Sequence, residues 1–209
     1  MKRPKIYEPY YDMESGTYHT PAGVRCERVT DILQGELKTY DGYPASASTR
    51  GHDVHSACQF YDDNDLRESS LTEEVAAYLE CYKRAKAEYG INVLQNEVRR
   101  YHPVYLYAGT CDKPSIIGKE TGIIDLKSGL KEKWHKWQTA AYWGLLKDEI
   151  PNLTALWTLY VKPGEYGGKG YDLVRYEKTP QRLFGEFLAL FSAYTIKKNE
   201  GYIKEKRRV

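Results

Sequence analysis

Between Gly90 and Gly129 the chain runs through a succession of β-like segments joined by short turns, with amphipathic helical patterns on both sides. The segments are residues 93–101, 105–112, 115–118 and 121–127. Upstream, residues 71–89 place Val75, Tyr78, Leu79, Tyr82, Ala85 and Tyr89 on one stripe. Ser70 with Glu73 three residues later forms a capping box at its start, and Gly90 stops it. Downstream, Trp134, Trp137, Ala141 and Leu145 share one side of a helix over 134–146. An apolar strand (153–161), a strand at 171–176 and a last helix follow. That helix opens on the Thr179-Pro180 pair and carries Leu183, Phe187, Leu190, Phe191 and Tyr194. This order suits an α/β domain with a mixed central sheet flanked by helices.

The first 47 residues read as a hairpin and a helix. Residues 6–13 and 17–20 flank the turn Glu14-Ser15-Gly16. Residues 24–33 lead through Thr30, as N-cap, into a short helix that Asp41-Gly42-Tyr43-Pro44 breaks. Residues 48–61 form the next helix, capped by Ser48 or Thr49. With no repeat and no linker, one domain over 1–209 is expected: hairpin and helix (1–47), core (48–200) and basic tail (201–209).

Composition narrows the function classes only a little. A net charge of +2 over 209 residues does not announce a nucleic-acid partner. The C-terminal Lys197, Lys198, Lys204, Lys206, Arg207 and Arg208 read as a solvated end or as a DNA contact. The twenty tyrosines suit base stacking and ordinary core packing alike. Cys26, Cys58, Cys81 and Cys111 have no CxxC spacing, which argues against a zinc ribbon. With no secretory signal, reduced buried thiols in a cytosolic compartment are expected. No apolar run approaches membrane-spanning length.

Chemistry concentrates in residues 108–129. Asp125 and Lys127 are two apart in a β-like segment and project to one face. The intervening turn brings Asp112 beside them. Two oxygen ligands and an ammonium at one point suit a divalent cation and a phosphodiester. Each residue also has a plain structural reading. Asp125 and Lys127 can form a surface ion pair, Asp112 before Lys113-Pro114 can serve a turn, and His55 can be an ordinary helix histidine. Glu97 can be an exposed strand acid, and Gln138 and Tyr142, one turn apart on a helix, can be helix surface and core.

Four blocks together resemble the PD-(D/E)xK nucleases of the RecB, Cas4 and lambda-exonuclease-like group. They are Arg50-Gly51-His52-Asp53-Val54-His55, Gly109-Thr110-Cys111-Asp112, Asp125-Leu126-Lys127-Ser128-Gly129 and Gln138-Thr139-Ala140-Ala141-Tyr142, and they cover roughly residues 48–145. The hairpin and the following Val-Thr-Asp-Ile-Leu stretch are similar to phage-encoded members. The resemblance implies a restriction-endonuclease-like core and a stand-alone, metal-dependent DNase. It further implies an exonuclease of replication, recombination or repair, with a structure-specific endonuclease or a non-catalytic DNA-binding recombination accessory protein as alternatives.

By position it implies Mg²⁺ or Mn²⁺ held by Asp112, Asp125, the Leu126 carbonyl and His55, with Glu97 as a further ligand. Lys127 acts on the attacking water or the developing charge, and Gln138 and Tyr142 position it. With no cysteine after Cys111, no iron–sulfur cluster is expected. DNA is the expected partner, contacted without sequence reading by Arg50, Lys113, Lys119 and Lys131. The expected setting is the cytoplasm of a bacterium or a phage-infected cell.

Overall fold

The computed structural model describes residues 5–37 and 45–203. The 41–44 helix break and the basic residues from Lys204 onward lie outside them. Among the described residues ten strands and five α-helices build a mixed α/β fold: two mixed sheets flanked by helices, with strands at the N-terminus.

The first sheet has the order β1-β2-β3-β6-β5, from β1 (Tyr10–Asp12), β2 (Thr17–His19), β3 (Arg25–Arg28), β5 (Val98–Tyr101) and β6 (Tyr107–Cys111). Here β1 and β2 are the expected hairpin, and β3 pairs parallel to β6. The second has the order β10-β9-β8-β7-β4, from β4 (Ile91–Val93), β7 (Lys113–Ile117), β8 (Glu120–Lys127), β9 (Leu153–Val161) and β10 (Tyr171–Arg175). Its parallel pair β8·β9 is joined by α4 (His135–Leu146), so β8-α4-β9 is a crossover unit.

The expected strand 93–101 is cut by a passage between the sheets, whereas 105–112 holds as β6 and ends at the second passage. The chain leaves β4 for β5 through residues 94–97 and leaves β6 for β7 at Asp112. Glu97 and Asp112 therefore stand side by side on the seam, where the Glu97 amide donates to the Asp112 carbonyl over 2.9 Å.

Helix α3 (Glu73–Tyr89) buries Val75, Tyr78, Leu79, Tyr82 and Ala85, the expected stripe. Its cap differs from expectation. Thr72 accepts from the Val75 amide, whereas Ser70 lies in a 3₁₀ turn and donates to the Arg67 carbonyl. Gly90 ends the helix at φ 63°, where a Cβ is unfavourable. Thr30 is likewise not a cap, because α1 (Val29–Leu37) starts before it. Helix α5 (Pro180–Asn199) starts as expected, with Thr179 accepting from the Arg182 amide.

The second sheet is covered on both faces. On one, Ile123, Leu153 and Leu156 meet α1, α4 and α5 through Val29, Ala141, Leu183 and Phe187. On the other, Ile124, Leu126 and Leu159 meet α3 and α2 (Ala45–Asp62) through Leu79, Tyr82, Val54 and Cys58. The four cysteines are free and buried. No helix among the described residues is long and apolar enough to cross a membrane. Phe187, on α5, is fully buried with its ring against that of Tyr107, so Phe187→Ala is expected to cost about 3–5 kcal/mol. Urea unfolding checks it.

Candidate metal centre

Within the buried stretch of strand β8, Gly122–Leu126, Asp125 is the one charged residue, and Lys127 follows at its end. Alternation puts both on the α4 face, with Ile123. Asp125 is completely buried. The Lys127 ammonium stands 2.8 Å from its Oδ2. Beyond that ion pair, neither Asp125 oxygen has a hydrogen-bond donor among the described residues. Burial pushes the Asp125 carboxyl up to about 6, with the Asp112 charge adding and Lys127 opposing.

Asp112 is also buried, and its Oδ2 accepts the Leu126 amide at 2.7 Å. That bond ties the seam to the neck of the Asp-x-Lys motif. Burial raises the Asp112 carboxyl; His55 and Lys127 pull against it. His55, on α2, reaches over the seam. Its Nδ1 lies 3.7 Å from Asp112 Oδ2 and 3.8 Å from Glu97 Oε1. Burial draws the imidazole down, but the Asp112 and Glu97 carboxylates outweigh it and leave the ring raised. Glu97 holds φ 50°, a left-handed conformation that costs a non-glycine residue roughly 1 kcal/mol or more. Its amide bond to Asp112 keeps it there.

One ligand atom each from His55, Glu97 and Asp112 fit within 4.8 Å of one another. Ligands on an octahedral ion at about 2.1 Å are about 3 Å apart when adjacent and about 4.2 Å when opposite. The cluster is therefore slightly open for a small divalent cation and needs only a modest contraction. Three acidic groups, two of them buried, and an imidazole face one region. The Asp125 oxygens, faced by the Lys127 ammonium and by no other donor among the described residues, are buried acceptors that a cation would satisfy further. This oxygen-rich donor set with one imidazole fits a divalent cation.

Gln138 and Tyr142 project from α4 toward the acids. The Gln138 Nε2 donates to the Tyr142 hydroxyl over 2.8 Å, leaving its buried Oε1 without a partner. After burial, the Asp125 and Asp112 charges are the main influences raising the Tyr142 hydroxyl, which puts it beside both. Gly109 makes room for it. A Cβ there would meet the Tyr142 ring at 2.7 Å, so the glycine of the Gly-x-x-Asp block serves helix packing.

Sequence reasoning missed a polar layer behind Lys127. Register places Thr158 across from Asp125 and Tyr160 across from Lys127. Tyr160 shares a 2.8 Å hydrogen bond with His135 Nδ1, and Thr158 shares one of 2.7 Å with Tyr176. Burial pulls the His135 ring down to about 2, so it stays neutral beside the ammonium. The i, i+2 pair of polar residues in an apolar strand was the available signal. Its meaning depends on a parallel register that sequence does not reveal.

The expected DNA contacts divide. Arg50 is half-buried, 3.3 Å from Glu74 Oε1 and 5.7 Å over the Tyr78 ring. Lys131 remains half-exposed, though its ammonium is 2.5 Å from Asp172 and lies over the Tyr166 ring. Lys113 does not fit the expectation. It is buried, with its ammonium bonded to Asp62 and Asn96, so it is closed off from a phosphate. Lys119 is exposed but sits in the β7–β8 turn, at the far end of the hairpin from Asp112, roughly 20 Å along the strand.

No family profile and no curated protein matches the chain. Among solved structures, LHK-Exo in complex with dAMP is similar at 14% identity and a TM-score of 0.43, over 84% of this chain and 89% of that one. The alkaline exonuclease LHK-Exo from Laribacter hongkongensis gives 13% and 0.40, over 83% and 88%. SSO0001 gives 12% and 0.33, over 87% of each chain. At such distances a likeness carries no activity across, and function rests on the geometry of the site.

Proposed function

We propose that this chain is a metal-dependent DNA nuclease of the PD-(D/E)xK type, acting as an exonuclease. One observation carries the reading. One ligand atom each of His55, Glu97 and Asp112 gather within 4.8 Å on the seam between the sheets, next to a fully buried Asp125 that is paired with the Lys127 ammonium at 2.8 Å. A purely structural ion pair does not need three further ligand-type side chains gathered beside it.

Asp112, Asp125, His55 and Glu97 would hold Mg²⁺ or Mn²⁺, with the Leu126 carbonyl as a further candidate. When bound, the cation neutralises phosphate charge and lowers the pKa of water. Lys127 places a fixed positive charge where the attacking water and the phosphate oxygens meet, and it stabilises the negative charge that grows in the transition state. Tyr142 and Gln138 orient the water or the strand from the α4 side, with the free Gln138 Oε1 as acceptor. Arg50 and the half-exposed Lys131 supply contacts to the sugar–phosphate backbone.

Linear and closed-circular DNA incubated with Mg²⁺, Mn²⁺ or EDTA test the reading. Linear DNA is expected to be degraded from its ends with either metal, and EDTA is expected to stop it. Cutting of closed circles would replace the exonuclease with an endonuclease. Binding without cutting under every metal would overturn the enzyme and leave a DNA-binding protein.

A further inference from the structure

The burial of Lys113 leaves a charge in the interior that the proposed chemistry does not use. Its ammonium donates to Asp62 Oδ2 at 2.7 Å and to Asn96 Oδ1 at 2.7 Å, and lies 5.1 Å over the Tyr82 ring. Lys113 and its two hydrogen-bond partners each lie in a segment that carries a candidate ligand. Lys113 itself follows Asp112. Asn96 precedes Glu97. Asp62 lies seven residues beyond His55 on α2, two turns along the same face. One ammonium therefore joins the three segments that deliver His55, Glu97 and Asp112, segments that lie in three separate stretches of the chain.

Its partners are themselves pinned. Asp62 also accepts the Tyr82 hydroxyl at 2.6 Å and Lys86 at 2.5 Å, and the Asn96 amide nitrogen donates to Asp63 at 2.8 Å. Glu97 holds a left-handed backbone, which persists only when its surroundings hold it. Two constraints are visible: its own amide bond to Asp112 and the Asn96 link to Lys113.

We propose that Lys113 is a positioning residue that sets the spacing of His55, Glu97 and Asp112 and so tunes divalent-cation affinity. The proposal rests on the metal-site reading above. Removing a group that orients ligands typically lowers metal affinity 10–100-fold.

The test is Mn²⁺ binding by the full chain, followed by loss of the free-ion magnetic resonance signal well below the unfolding temperature. Wild type and His55→Ala come first. If wild type binds no Mn²⁺, or His55→Ala binds it equally well, the metal site fails and the role of Lys113 falls with it. Given a working site, Lys113→Met is expected to weaken Mn²⁺ binding about 10–100-fold and to raise the Mn²⁺ concentration needed for half-maximal cleavage. Asp62 keeps Lys86 and Tyr82 in that variant, so no carboxylate is stranded. Asn96→Ala cuts the link to Glu97 without touching a charge. It is expected to weaken binding in the same direction, and it decides the matter if Lys113→Met does not fold. Variants that melt earlier yet bind Mn²⁺ as wild type does would reduce Lys113 to a structural ion pair and overturn the proposal.

Discussion

Lys127→Ala is expected to lower DNA cleavage by at least ~10²–10³-fold, the usual loss when one preorganised charge facing the transition state is removed. DNA binding measured in Ca²⁺ should change little, because the backbone contacts are assigned to Arg50 and Lys131. The variant also removes the cation beside Asp125, which opposes the upward push of burial on that carboxyl. The pH above which the protein loads metal should therefore move upward. Cleavage at the wild-type rate would show that the ammonium is only a partner for Asp125.

Asp125→Asn is expected to abolish metal-dependent cleavage and, in metal-free protein at pH 8, to raise stability. The carboxylate is wholly buried with the Lys127 ammonium as its one donor among the described residues, and burial pushes it up to about 6, above the ordinary 3.8. For a carboxyl raised in the folded state, the folded protein binds the proton more tightly than the unfolded chain. Stability then falls as pH rises from about 4 through 6 and stays low above it. The full effect is on the order of 2–3 kcal/mol. Asp112 is raised in the same sense. Thermal melts in EDTA at pH 5 and pH 8 should show wild type losing stability with pH and the asparagine variant losing less. Excess Mn²⁺ should restore the wild type at pH 8 and not the variant. A variant less stable than wild type at pH 8 in EDTA would mean that Lys127 already compensates the buried charge in full.

The helices and strands were largely readable because their signals are local. The β9 strand over Leu153–Val161, the Thr179-Pro180 start of α5 and the Gly90 stop of α3 each follow from residues within a few positions of one another. Errors fell where two local signals competed. Both Ser70-x-x-Glu73 and Thr72 offer a cap, and the backbone chose Thr72 because Ser70 is taken up in the preceding 3₁₀ turn. The long expected strand over 93–101 failed to stay whole for a different reason. Its break at residues 94–97 marks a change of sheet, which no local pattern encodes.

The sequence by itself determined which chemistry is available: an Asp-x-Lys pair on one face of a strand, a further aspartate after glycine, a histidine on a helix, and a glutamine and tyrosine one turn apart. Spacing along one element decides facing, and spacing is written in the chain. Only the tertiary structure decided which charges work together. Lys113 and Lys131 look alike in sequence, yet one is sealed against Asp62 and Asn96 and the other reaches solvent. Glu97 joins His55 and Asp112 because two sheets meet beside it. Burial and the pairing of distant strands set the local dielectric and the nearest partner. Those two quantities fix what a charged side chain does, and neither is a property of its neighbours in sequence.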